Sequence, residues 1–174
     1  MRIYLVGYMG CGKSTLGRKL AACAGLHYID LDKYIEERNC RTVPLIFAED
    51  GEAGFREKER KALEEVSQFT DVVIATGGGA PAFSDNMELM NRTGITLFLD
   101  IEPAVLLQRL LSSNTERPLI RGTSKEELEA FIQENLAKRR PFYAQAKMTI
   151  TRPDAGVADI MKLIRQSDKA AGSL

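Results

Sequence analysis

The segment Gly7-Tyr8-Met9-Gly10-Cys11-Gly12-Lys13-Ser14 follows a short apolar run, Ile3 to Val6, and leads into an amphipathic stretch, Ser14 to Ala24. That order constrains the fold more than any other feature. A strand must end in a glycine-rich turn whose backbone N–H groups curl around an anion, and the turn must open a helix whose positive end faces the same anion. Gly10, Cys11, Gly12, Lys13, Ser14 and Thr15 are therefore the nucleotide-binding candidates. Lys13 suits the β and γ phosphates and Ser14 suits Mg²⁺. Cys11 sits at a variable position that asks only for a small side chain. A phosphate loop alone does not say what the phosphate is for.

The rest of the chain alternates in the same way. Apolar runs predict strands at Ile3 to Val6, His27 to Ile29, Val72 to Ala75, Ile95 to Leu99 and Met148 to Thr151. Helical patterns cover about Ser14 to Ala24, Leu31 to Arg38, Glu52 to Val66, Asp85 to Met90, Pro103 to Leu111, Ser124 to Arg140 and Ala155 to Arg165. This alternation predicts an α/β fold, a five-stranded parallel sheet in a three-layer α/β/α sandwich. With 174 residues a single domain is expected. Within it, residues about 32–61 supply helices but no strand and suit a substrate-binding subdomain. The polar stretch about 112–124 suits a lid.

Charge and composition exclude several functions. Lys plus Arg and Asp plus Glu both number 24, so no overall field attracts nucleic acid or an anionic membrane. The aromatic residues are too few and dispersed for a nucleic-acid stacking platform, and the single histidine, His27, cannot build a His-based triad or metal site. Three cysteines without metal-like spacing fit a reducing, cytoplasmic setting. The apolar start is too short for a signal peptide or a membrane span. No long apolar heptad is visible, so a monomer is expected.

Several charges fall where apolar residues belong. In the helix from Ser124, the stripe Leu128, Phe131, Ile132 and Leu136 is continued by Arg139, while Arg140 is rotated away. A guanidinium turned inward needs an anion, either a structural partner or a ligand. Arg56 lies one helical turn from both Glu52 and Glu59, which either orient it for a substrate or form an ordinary helix salt bridge. Asp30 and Asp32 stand at a strand end, where a parallel sheet opens its ligand crevice. One suits hydrated Mg²⁺ and the other a substrate hydroxyl, and a helix N-cap is the alternative for either. Finally, Val72 to Thr76 runs into Gly77, Gly78 and Gly79. These glycines either make a tight turn before Pro81 or let a small ligand lie against the backbone.

These motifs, in this order, resemble the shikimate kinases, phosphate-loop enzymes related in fold to nucleoside monophosphate kinases. The resemblance rests on Gly7 to Thr15, Asp30-Leu31-Asp32, Phe47, Gly51-Glu52, Phe55-Arg56, Gly77 to Gly79, Arg117-Pro118-Leu119 and Arg139 to Tyr143, which together span nearly the whole chain. It implies transfer of the ATP γ-phosphate to the 3-hydroxyl of shikimate, on the route to chorismate and aromatic amino acids. By position it implies that Asp32 contacts the shikimate hydroxyls, that Arg56 and Arg139 bind its carboxylate, and that Gly78 and Gly79 line it. It further implies Mg²⁺ at Ser14 and Asp30, phosphate contacts from Lys13 and Arg117, and Arg109 or Arg152 beside the adenine. Two rival readings share the phosphate loop: another small-molecule kinase such as a gluconate kinase, and a nucleotide-binding regulatory protein without turnover.

Overall fold

A computed structural model describes residues 1–112, 124–152 and 156–171. Five strands form its sheet: β1 Arg2–Val6, β2 His27–Asp30, β3 Val72–Ala75, β4 Ile95–Leu99 and β5 Met148–Ile150. All pair in parallel in the order β2-β3-β1-β4-β5. Helices cover both faces, so the inner strands read as near-continuous apolar runs, broken by Arg2 and Thr96, rather than alternating. Every residue of β3 and β4 is buried. Each such Val, Ile or Leu contributes roughly 1.5–3 kcal/mol by leaving water, enough to hold short strands together without help from loop chemistry.

The helices are α1 Lys13–Ala24, α2 Leu31–Asn39, α3 Val43–Val66, α4 Asn86–Thr93, α5 Pro103–Ser112, α6 Lys125–Tyr143 and α7 Val157–Ala171. Helices α4 and α7 run on past their expected ends at Met90 and Arg165, to Thr93 and Ala171, and two others differ in ways that bear on the site. Helix α3 begins nine residues before Glu52, at Val43, with Thr42 as a cap that accepts from the Leu45 N–H. Gly51 breaks it with φ 69° and ψ −176°, a conformation open to glycine, so two helices are joined at a kink. The first of them is too short for its period to be read from sequence. Across the kink Phe47 stacks on Phe55 at 4.4 Å.

Helix α6 does not stop at Pro141 but runs on to Tyr143. Proline removes one N–H donor, yet the Ala144 N–H still bonds the Arg140 carbonyl at 2.8 Å, and Tyr143 is fully buried. Packing of that side chain holds the last turn. At its other end α6 has the expected capping box of Ser124 and Glu127. The expected end of β5 at Thr151 is one residue late, and the proposed start of α7 at Ala155 lies outside the described residues.

Register brings the strand ends together. Leu5 and Asp30 both lie level with Ala75. The three segments that leave β1, β2 and β3 therefore emerge side by side: the phosphate loop, the Asp30–Asp32 carboxylates and the glycine triplet. β1 has β3 on one side and β4 on the other, so the crevice opens where the strand order reverses, as ligand crevices in such sheets do.

Candidate active site

The phosphate loop is built by backbone conformation. Gly12 caps α1 at φ 102° with no side-chain hydrogen bond, which leaves the first N–H groups of α1 for an anion. Lys13 Nζ donates to the Gly7 carbonyl at 2.8 Å and the Tyr8 carbonyl at 3.0 Å, holding its charge over the loop. Cys11 is buried and its sulfur lies 3.7 Å from the same ammonium. Arg109, from α5, donates to the carbonyls of Gly10 and Cys11 at 3.3 and 3.0 Å. Part of its hydrogen-bonding capacity thus ties α5 to the loop.

Two cavities meet at this loop. One, of about 480 Å³, is lined by Gly10, Gly12 and Thr15 on one side and by Leu99, Ile101, Arg109, Ile150, Arg152 and Val157 on the other. Apolar walls with two arginines suit a purine base and its phosphates. The other, of about 540 Å³, runs from Lys13, Ser14 and Thr15 past Asp30 and Asp32 to Thr76, Gly77 and Gly78.

Asp30 takes the helix N-cap role weighed for it. Its carboxylate caps α2, accepting from the Lys33 N–H at 3.5 Å, and it accepts from Ser14 Oγ at 3.1 Å and the Tyr28 hydroxyl at 3.3 Å. Ser14 and Asp30 thus present adjacent hard oxygen donors to the cavity. That donor set fits Mg²⁺, which keeps several waters and takes few protein ligands. Burial, reinforced by neighbouring Asp30, pushes the Asp32 carboxyl above the ordinary carboxylate range, and Lys13 opposes this.

The glycine triplet is not required by a tight turn. None of the three adopts positive φ, so the 3-10 turn Ala80–Ala82 that follows does not require them. Two of them make room for protein side chains. A Cβ on Gly77 would sit 2.9 Å from Asp32 Oδ1 and 3.1 Å from Glu59 Oε1, and one on Gly79 would collide with the Arg56 guanidinium. Gly77 and Gly78 both line the cavity, and at Gly78 a Cβ would meet only Met9 N at 3.4 Å, the Gly7 carbonyl at 3.6 Å and Arg139 Nη1 at 3.8 Å.

The two arginines are held unequally. Arg56 bonds Glu59 at 2.6 Å, and Glu59 is 1% exposed; its second partner, Glu52 at 3.4 Å, is 73% exposed. The buried pair dominates, because an exposed partner contributes little. Arg139 is partly buried, with its guanidinium carbon 5.9 Å from the centre of the Tyr8 ring. Among the described residues no carboxylate forms an ion pair with it. Arg140, by contrast, points to Asp100 at the surface.

Met9, Thr76 and Gly77 also line the acceptor cavity, and Tyr143 and Tyr8 stand behind it. No spacing rule singles out Thr76, since its place depends on which strands become neighbours. Arg117 and nearly all of the stretch 112–124 lie outside the described residues.

A parallel sheet with a phosphate loop at its switch point, and a cavity that continues to a half-buried carboxylate and a glycine wall with two arginines beside it, defines a phosphate-loop kinase acting on a small anionic acceptor. Comparison with known proteins narrows this. The family model for shikimate kinase matches residues 9–168. A shikimate kinase of Phocaeicola vulgatus is 58% identical over 146 residues, 84% of this chain and 83% of that protein. One of Parabacteroides distasonis is 51% identical over 167 residues, 96% of this chain and 92% of that protein. Among solved structures, shikimate kinase from Bacteroides thetaiotaomicron superposes with a TM-score of 0.91 at 48% identity, covering 95% of this chain and 98% of that one. Shikimate kinase from Acinetobacter baumannii in complex with shikimate gives 0.83 at 35% identity, covering 99% and 95%. The chain belongs to the shikimate kinase family.

Proposed function

We propose that this protein transfers the γ-phosphoryl group of ATP to the 3-hydroxyl of shikimate, giving ADP and shikimate 3-phosphate for chorismate and aromatic amino acid synthesis. The observation that carries this reading is the continuous cavity from Lys13 and Ser14 to Asp32 and Gly78, with Arg139 at its glycine wall. It has the polarity that an acid bearing several hydroxyls needs at one end and a triphosphate at the other.

In this mechanism the loop N–H groups and Lys13 hold the phosphates, and Arg109 and Arg152 border the base. Arg56 and Arg139 bind the acceptor carboxylate, and the backbone of Gly78 and Gly79 lies against its ring. That fixes the 3-hydroxyl in line with the γ-phosphorus, and positioning supplies much of the rate in phosphoryl transfer. Asp32 orients the hydroxyl and accepts its proton as the new O–P bond forms. Ser14 and Asp30 are the residues for Mg²⁺, which when bound neutralises charge on the β- and γ-phosphate oxygens. Arg117, within a lid of about residues 112–124, adds a further cation on the resemblance alone, and residues about 32–61 form the acceptor-binding subdomain. Asp32, Arg56 and the Phe47–Phe55 stack all belong to that segment.

We further propose a cytoplasmic monomer. Cys11, Cys23 and Cys40 are all free thiols, and among the described residues no helix is long and apolar enough to cross a membrane.

The test is ADP release by the purified protein with ATP, Mg²⁺ and either shikimate, gluconate or AMP. Shikimate should drive release and the others should leave it at the level of buffer. Release no faster with shikimate than without acceptor would overturn the proposal. Gly78→Ala examines the glycine wall. Its Cβ meets only ordinary contact distances in the protein, so thermal stability should hold. The methyl group would intrude on the acceptor, and overpacking of about 1–3 kcal/mol corresponds to a shikimate KM raised roughly five- to 150-fold. A stable variant with normal shikimate KM would remove Gly78 from the acceptor wall.

A further inference from the structure

Tyr143 is the last residue of α6 and is fully buried, its ring tilted on Phe98 with centroids 5.3 Å apart. Its hydroxyl donates to the Gly78 carbonyl at 2.5 Å. That contact joins the end of a helix to the middle of the glycine wall, 65 residues away in sequence. In a planar trans peptide the carbonyl and the following N–H point to opposite sides, and no peptide here is cis. Drawing the Gly78 carbonyl toward the Tyr143 hydroxyl therefore turns the Gly79 N–H to the side opposite that hydroxyl. Among the described residues neither the Gly78 nor the Gly79 N–H has an acceptor.

The surroundings give this orientation a use. Gly79 abuts the Arg56 guanidinium and Gly78 lies near Arg139. Arg139 is also the cation beside the Tyr143 hydroxyl, partly offsetting the effect of burial, which strongly disfavours the phenolate. The hydroxyl therefore stays a donor. One side chain thus bears on both the peptide and an arginine of the acceptor wall.

We infer that Tyr143 is a positioning residue for the acceptor: its bond to the Gly78 carbonyl presents the Gly79 N–H, between Arg56 and Arg139, as a donor to the bound acid. This inference rests on the acceptor-site reading above. Glycine leaves that peptide free to rotate, so without the bond the donor would be spread over many orientations.

The test is Tyr143→Phe, which keeps the ring packed on Phe98 and removes only the hydroxyl. Loss of one neutral hydrogen bond, about 0.5–1.5 kcal/mol, should raise the shikimate KM roughly two- to tenfold and leave the ATP KM unchanged. Phe98→Leu is the packing control: it should lower thermal stability with the shikimate KM unchanged. Equal rises in both KM values for Tyr143→Phe, or a loss of stability alone, would make Tyr143 merely structural and overturn the inference. If that variant does not fold, the unmodified protein decides, because shikimate titration should shift the Gly79 amide resonance and an unmoved resonance is equally fatal. Failure of the wild-type protein to release ADP with shikimate would instead strike the underlying functional reading.

Discussion

Asp32→Asn should lower turnover by about a hundredfold or more while the folded protein becomes no less stable. A general base typically contributes 10²–10⁴-fold, and the amide keeps the shape of the carboxylate but cannot take the hydroxyl proton. The stability half follows from the environment of Asp32. Burial and neighbouring Asp30 raise its pKa in the fold, against the pull of Lys13. A group whose folded pKa is raised contributes stability below its unfolded pKa, and that contribution is lost as pH rises through the folded value. At neutral pH the ionised Asp32 is therefore a net cost to the fold, and the neutral amide relieves it. The melting temperature of the variant should match or exceed that of the wild type at pH 7, with the difference shrinking as pH is lowered.

The same shift fixes the sign of the pH profile. The base works ionised, so kcat/KM should fall as pH drops through the raised pKa, with the acidic limb above the ordinary aspartate range. Near-normal turnover in Asp32→Asn, or an acidic limb that the substitution leaves in place, would remove Asp32 from proton transfer. A marked loss of melting temperature would make its charge structural.

Much of this arrangement could be read before any coordinates, and the reason is local. The phosphate loop, the five apolar strands and the inward turn of Arg139 are each specified within one turn or one strand, where period and spacing carry the signal. The Arg56–Glu59 pair is visible for the same reason, three residues apart on one helix. What stayed hidden depends on strand neighbours. Nothing in the spacing of Asp32 and Gly77 says that they touch. Pairing of Asp30 with Ala75 brings them together, and the sheet order decides that pairing.

The glycine triplet shows the limit most clearly. Its composition suggests a wall against a ligand, and two of its three glycines also make room for the protein's own carboxylates and guanidinium. Tyr143 was obscured by Pro141, which marks a helix end by its chemistry but not in this fold. There the last turn keeps the Ala144 N–H bond to the Arg140 carbonyl and is packed down by a buried side chain.

The contrast between the two arginines leads to the second large effect. Replacing Arg56 would strand Glu59, which is 1% exposed and whose carboxyl burial already pushes upward in pKa. Breaking a buried pair on one side costs about 3–5 kcal/mol, so Arg56→Ala confounds binding with folding. Arg139 has no such ion-pair partner among the described residues. Arg139→Ala should therefore leave thermal stability nearly unchanged. With substrate present, the variant leaves the acceptor carboxylate facing a site with one cation fewer. Losing one partner of a buried charge pair costs about 2–5 kcal/mol in binding, so the shikimate KM should rise at least about thirtyfold. ATP binding, measured by calorimetry or nucleotide fluorescence, should be nearly unaffected, because Arg139 does not line the cavity beside the base. Equal losses of ATP and shikimate binding, or a clear drop in melting temperature, would show that this guanidinium serves the fold and not the acceptor. A shikimate analogue without the carboxylate sharpens the measurement: it should bind weakly to the wild type and almost equally weakly to Arg139→Ala, since the arginine discriminates only where there is a carboxylate to meet.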